Sequence, residues 1–479
     1  MRRLLAIQLF LGAIFSSPAI GQADDFGMPK ENLPAPTSVQ DVLTTNPIKL
    51  FVSADAPSSD LPTVGGSFGL DDAVKVGLKN NLTLKQSERA WTGSKFLARA
   101  ALGKFGPSAS FNTFYSTSSL NQMLFFPNDT TVASSPMQPI VRGTSLSLIF
   151  AGTQPLLTGG RLMGGYKAAR ALERQASSGY HADGNTTALK VKEAYWETAW
   201  YEARLRVDTD YAKTKEWSVS NMQARVEEGK APRADLLREK AELARARTQV
   251  NDDYRDYNVA LVKLKVALGI NFSSLFFLKE SLDYVEVAGD LSSYLTMAGK
   301  NRPELTQAES KVLELRARRM VARSKYAPQV NLYGLGSNIT GSSPDGHADG
   351  RWGGVVGVVG GITLFDSGTR LNELRAASNT VKEAEIARQE VQQKVAEDVS
   401  IAWINLEIAR KNVDLAKAEV VSAEEDQRLI HIRYLVGKSI ELEDFESGVK
   451  LLQARLALLE SIYKYRVAQA RLQWASGML

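Results

Sequence analysis

The 479-residue sequence contains no cysteine. That excludes a disulfide framework, a thiolate metal site and a cysteine nucleophile. Histidine is almost as scarce. His181, His347 and His431 are scattered, show no metal-ligand spacing and read as surface residues. The run "GGVVGVVGG" at 353–361 has neither the G-x-G-x-x-G spacing nor a Gly-Lys-Ser/Thr, so it is not a phosphate loop. No Ser/His/Asp set suggests hydrolysis. The expectation is a protein that is not an enzyme and has no cofactor and no metal centre. Past the N-terminus, no segment has 18 consecutive apolar residues, so no transmembrane helix is expected. Two options remain: an exported soluble protein, or one that crosses a membrane as β-strands, which hydropathy reads poorly. There is no charge run either. The 58 Lys+Arg and 53 Asp+Glu are interleaved, which argues against a nucleic-acid partner.

What is present begins with Arg2 and Arg3, a mostly apolar run from Leu4 to Phe15 and then small residues. Residues 1–23 read as a secretory signal peptide, cleaved near Gly21 or Ala23. Residues 24–68 are rich in Pro, Ser, Asp and Thr and read as an extended arm.

The rest repeats. A first unit is expected over 69–270, an equatorial connector over 271–300 and a second unit over 301–479. Asn80 and Pro107 recur as Asn301 and Pro328, both 221 residues later. Leu156, Gly160, Arg225, Gly229 and Gly269 recur as Leu364, Gly368, Arg433, Gly437 and Gly477, all 208 later. Each unit has an alternating strand pair, about 107–152 and about 328–364, and the offset changes by 13 between the two strands of the pair, so the length difference falls in the loop that joins them.

Each unit continues into a long helical stretch broken at a glycine, with tip turns at 229–232 and 437–439. Val395, Val399, Ala402, Leu406, Ala409, Val413, Ala416, Val420 and Ala423 are spaced four, three, four, three. Leu442, Phe445, Val449, Leu452, Leu456, Leu459 and Tyr463 continue that spacing, and Leu236, Leu243, Val250, Tyr257 and Leu264 recur every seven. The pattern predicts antiparallel coiled-coil hairpins. Helices over 161–228 and 366–436 would each run roughly 100 Å at about 1.5 Å per residue.

Strands of membrane-spanning length, with Phe105, Phe150, Tyr326, Trp352 and Phe365 near their ends, suggest a barrel with aromatic girdles. Four strands cannot close in a bilayer, so chains must pool them. Three chains would give twelve strands and a lumen.

The sequence resembles the TolC-type outer-membrane efflux channels. "LDDAVKVGLKNNLTLKQSERA" and "NRPELTQAES" resemble the opening helices of the two halves. "PLLTGGRLMGGYKAAR" and "TLFDSGTRLNELRAAS" resemble the strand-to-helix junctions. "RVEEGKAPRADLLREKAELARAR" and "RYLVGKSIELEDFESGVKLLQAR" resemble the two tip hairpins. The resemblance covers about 68–479. It implies a mainly α fold with a membrane β-barrel: a homotrimer with four strands per chain in a shared twelve-stranded barrel, above a periplasmic α-helical tunnel. It also implies a place in the outer membrane of a Gram-negative bacterium, in contact with its lipid. The implied function is a passive exit duct of a tripartite efflux or type I secretion system, opened by a periplasmic adaptor and an inner-membrane pump. The alternative from another class is an exported coiled-coil structural or surface protein without a pore.

Carried over by position, the resemblance implies adaptor docking at Arg225, Gly229, Lys230, Ala231, Arg433, Gly437, Lys438 and Ser439. It implies a pore gate at Glu443 and Glu446, with Tyr434 and Asp235 tying the hairpins together. The sequence departs from the family pattern in having Glu where Asp is usual in both acidic rings, and Ser439 where an Arg link is expected. Simpler readings stand beside these. The glycines cap helices, the Arg and Lys complement helix C-termini, and Glu441, Glu443, Asp444 and Glu446 favour a helix N-terminus.

Overall fold

The computed structural model describes residues 62–63, 65–118, 143–287, 289–341 and 350–479. The signal peptide, most of the N-terminal arm, both strand-to-strand loops and His347 lie outside these residues.

The chain begins with a short strand β1, Gly66–Phe68, then helices α1, Leu70–Asn80, and α2, Leu82–Gly103. Strands β2, Ser108–Ser118, and β3, Gly143–Leu157, follow. The first long hairpin is α3, Arg161–Glu227, and α4, Arg233–Leu268. After β4, Phe276–Leu278, the order recurs as α5, Leu291–Asn301, α6, Pro303–Ser324, β5, Gln329–Gly341, β6, Arg351–Gly361, α7, Thr369–Leu435, and α8, Glu441–Ala475.

The boundaries refine the sequence reading at four places. The sequence reads as helical from Leu70 to about Phe105, but the structure has two helices there, because Asn81 leaves the helical conformation and its side chain accepts from the backbone N–H groups of Thr83 and Leu84. The equivalent break in the second half uses another device, Pro303 at the first turn of α6. The connector is not wholly irregular: β4 and most of α5 fall within it, and α5 is the counterpart of α1 at the offset of 221. The end of the extended arm is β1, which pairs in parallel with β4. Finally, β3 continues to Leu157, past 152, whereas β6 stops at Gly361.

β2, β3, β5 and β6 form one antiparallel sheet in that order, so strands of the two halves pair at β3–β5. Pairing register decides the faces. Phe111, Tyr115, Leu146, Phe150, Leu332, Trp352, Val356 and Val358 share one face, and all are exposed in the single chain. The other face carries Ser108, Ser110, Asn112, Ser147, Thr153, Asn331 and Ser337 among Ile149, Leu335 and Val355. Outward apolar and inward polar alternation is the signature of a strand between lipid and a lumen.

Of the expected girdle aromatics, Phe150 sits mid-strand. Its ring lies 4.6 Å from Phe111 and 6.1 Å from Trp352, reaching across Gly336 of β5. Phe105 packs edge-on against Tyr166, and Tyr326 lies under the Arg370 guanidinium, both at strand-to-helix junctions.

The main core sits where the equatorial segments wrap the hairpins. Val191, Tyr195, Leu264, Val399 and Tyr465 are among its fully buried members. The Tyr195 hydroxyl donates to the Phe68 carbonyl at 3.1 Å and accepts from the Glu280 N–H at 3.2 Å. The Tyr465 hydroxyl accepts from the Val287 N–H at 3.0 Å. These bonds pin the connector to the helices.

Candidate functional site at the hairpin tips

Both tips are built the same way. Gly229 (φ 72°) and Gly437 (φ 71°) take the left-handed conformation that a side chain disfavours. The Lys230 N–H bonds the Arg225 carbonyl at 2.7 Å, and the Gly229 N–H bonds that of Val226 at 3.0 Å. In the second tip, Lys438 bonds Arg433 at 2.8 Å and Gly437 bonds Tyr434 at 3.0 Å. This paired pattern closes a helix C-terminus and satisfies its orphan carbonyls. A Cβ at either glycine would meet nothing within 4 Å, so the backbone conformation alone calls for glycine.

The side chains differ between tips. Lys230 pairs with Glu228 at 2.7 Å, and Ala231 is half-buried. Asp235 lies in the first turn of α4. Arg433 and Lys438 are exposed. The Ser439 hydroxyl donates to the Glu443 carboxylate, which folds that acid back onto the turn. Glu446 is exposed one turn further along α8. The second tip also displays Leu435, Val436 and Ile440 to solvent.

The hairpins are tied by a contact the spacing did not suggest. Arg225 Nη1 donates to the Tyr434 hydroxyl at 2.7 Å, joining the last turn of α3 to that of α7. Among the described residues no hydrogen bond joins Tyr434 to Asp235. Arg225 belongs to the expected docking set and Tyr434 to the expected gate, and the structure brings them together.

Two further contacts escaped the sequence reading. His431 Nδ1 lies 3.1 Å from Asp444 Oδ1 and clasps α7 to α8 beside the tip. Deeper in, Lys215 of α3 lies 3.5 Å from Glu239 of α4, with both side chains about nine-tenths buried, and 4.0 Å over the Phe445 ring of α8. One ammonium therefore joins three helices of both hairpins. A lysine at a seam position, where the other half has an alanine, is the signal that could have disclosed it.

A lipid-facing sheet continuous with paired helical hairpins, each ending in a glycine-capped tip, defines a membrane-anchored channel subunit. The sequence profile of the family described as Outer membrane efflux protein matches residues 78–270 and 295–478, and the chain belongs to that family. The two matched segments follow the internal duplication. Several solved channels share the fold. The open-state Neisseria gonorrhoeae MtrE outer membrane channel is 19% identical with a TM-score of 0.69, covering 85% of this chain and 88% of its own. The Campylobacter jejuni CmeC outer membrane channel is 16% identical with a TM-score of 0.70, covering 85% of each. The Vibrio cholerae outer membrane protein VceC is 15% identical with a TM-score of 0.68, covering 85% of this chain and 96% of its own. Comparison with curated protein sequences finds no match. The chain is thus a TolC-like outer-membrane efflux channel with an internal duplication and a helical tunnel.

Proposed function

We propose that three copies of this chain form the exit duct of a tripartite export system, opened from the periplasmic side by an adaptor and an inner-membrane pump. The carrying observation is the four-stranded sheet: one face is apolar and exposed, yet β2 and β6 are its edges. Open edges in lipid leave backbone groups without partners, so β6 of one copy pairs with β2 of the next and twelve strands close. A second unpartnered surface supports pooling. Ile401, Ile404, Ile408 and Leu415 lie exposed along α7, at the spacing of a helix face, beside a groove of about 780 Å³.

In this reading the adaptor meets both tips, at Arg225, Gly229, Lys230 and Ala231 and at Arg433, Gly437, Lys438 and Ser439. Glu443 and Glu446, repeated three times, put a ring of carboxylates at the periplasmic mouth that attracts cations. Arg225–Tyr434 holds the two hairpins of a subunit together until the adaptor engages. The deciding experiment is a mass measurement of the detergent-solubilised protein followed by planar-bilayer recording. A conducting trimer is expected, whereas a stable non-conducting monomer overturns the reading. Within a conducting trimer, Glu443→Gln with Glu446→Gln should lower cation preference. Unchanged selectivity would leave these acids as helix N-terminal residues only.

A further inference from the structure

Between the tips and the equator, α3 and α4 bury two carboxylates against each other. The Asp253 side chain on α4 has no exposed surface, and that of Asp208 on α3 retains 5%. Arg204 Nε lies 3.0 Å from Asp253 Oδ1 and 3.8 Å from Asp208 Oδ2. Gln249 Nε2 donates to the same Asp253 Oδ1 at 3.0 Å. The Oδ2 atoms of both acids are buried without a hydrogen-bond partner. The two side chains are within hydrogen-bonding reach of each other, but ionised carboxylates are acceptors only. One proton turns the opposed acceptors into an O–H···O bond and satisfies both orphan oxygens.

The surroundings supply little else. On α3, Arg204 faces the pair and the Tyr211 hydroxyl is close by, pushed up to about 12 by burial and therefore neutral. On α4, the Tyr257 hydroxyl is driven up by burial as well. α8 packs on α3 at Trp200–Tyr463 and Lys215–Phe445, which bracket this level. Its charges in between are occupied or exposed: Arg455 pairs with Glu424, Glu460 pairs with Lys464, and Lys450 faces solvent.

The duplication provides an internal control. At the offset of 208, Arg204, Asp208 and Asp253 become Asn412, Ala416 and Ser461. Ala416 is buried, and the Ser461 hydroxyl turns back onto the Ala457 carbonyl at 2.8 Å. The α7–α8 seam therefore closes at this level without charge. Packing does not call for the acids, and burying ionisable groups is costly.

We propose that Asp208 and Asp253 form a proton-binding site, with one proton held between their Oδ2 atoms, and that release of this proton loosens the α3–α4 seam of the first hairpin alone. With the proton bound, the pair carries one negative charge against the Arg204 guanidinium. With it released, two negative charges repel across the seam in a desolvated site. Burial, and next the contact with Asp253, push the Asp208 carboxyl up from 3.8 to about 7. The folded value lies above the unfolded one. The stabilisation is therefore fully present below pH 3.8 and is lost as pH rises through about 7.

The test is infrared titration of the detergent-solubilised full chain, with thermal unfolding across the same pH range. Wild type should show the carbonyl stretch of a protonated carboxylic acid, disappearing with a midpoint near pH 7. Asp208→Asn should lack that band. Its unfolding midpoint, subtracted from that of wild type, should leave a difference that falls with rising pH. Asp208→Ala with Asp253→Ser, the residues the second hairpin carries, provides a variant whose seam already closes elsewhere in the molecule. It should lose the band and, subtracted from wild type, leave the same difference that falls with rising pH. Absence of a carboxylic-acid band titrating near neutrality in wild type overturns the proposal, as does persistence of that band in the double variant.

Discussion

The two hairpins are one architecture with two interiors. α3 and α7 each have 67 residues, and α4 and α8 have 36 and 35. Gly160 and Gly368 precede the long helices with φ of 94° and 85°, and Gly269 and Gly477 follow the short ones with φ of 64° and 73°. At those last two positions a Cβ would collide with Asn80 and Asn301 respectively, so even the close approach is duplicated. The seams between these fixed points have diverged. Buried Thr198, Asp208 and Lys215 on α3 correspond to Leu406, Ala416 and Ala423 on α7. Helix length and left-handed glycines therefore hold the shape, and seam chemistry is free to specialise.

The strongest test removes one member of a buried pair. Lys215→Ala leaves the Glu239 carboxylate buried and uncompensated, and should cost about 3–5 kcal/mol. Adding Glu239→Ser copies Ser447 of the second hairpin and should recover most of that loss. Thermal unfolding of the two variants in detergent reads the difference. A double variant no more stable than the single one would mean that the first seam is not interchangeable with the second.

Next in size is the apolar counterpart. Leu406→Ala should cost about 2–5 kcal/mol, because a buried side chain leaves a cavity. Thr198→Ala, at the equivalent place in the first hairpin, should cost only about 1 kcal/mol, since its hydroxyl bonds its own helix at the Ala194 carbonyl. Equal losses, measured by denaturant unfolding, would erase the contrast between seams.

A smaller effect is expected where the hairpins meet. Tyr434→Phe removes a hydroxyl that accepts from Arg225 at an exposed site, so its stability coupling should stay within about 1 kcal/mol. Conductance should nevertheless rise if the proposed opening separates the elements that this tie joins. A double-mutant cycle with Arg225→Ala, recorded in single channels, measures both effects. Smallest and most symmetrical are Gly229→Ala and Gly437→Ala. Each should lose about 1 kcal/mol from backbone strain alone, equally at both tips. Unequal losses by thermal unfolding would show that one tip is packed differently from the other.

Much of this was legible because duplication leaves arithmetic behind. The glycines and the 208-residue offset located both tips, and the four-three spacing of Val395 to Ala416 marked residues that are in fact buried. Strand-like alternation over about 107–152 and about 328–364 pointed to the sheet. What stayed hidden depends on which residues of different helices reach the same level. Arg225 and Tyr434 lie on α3 and α7, and no periodicity within one helix discloses their contact. Asp208 and Asp253 read as ordinary surface charges until the helices are paired. The break at Asn81 was missed because the apolar pattern runs through it, while the capping side chain decides locally.

The unbroken course of α3 has a mechanical consequence. One rod runs from the glycine beneath the membrane sheet to the tip turn, with no proline inside it. A rod of about 100 Å acts as a lever, and a tilt of about 3° at its membrane end sweeps the far end through about 5 Å. Its partner α4 is little more than half as long and ends at the equator, so only the tip-side half of the lever is braced by the α3–α4 seam. Bending of that half shears the two helices past each other, and the seam resists it.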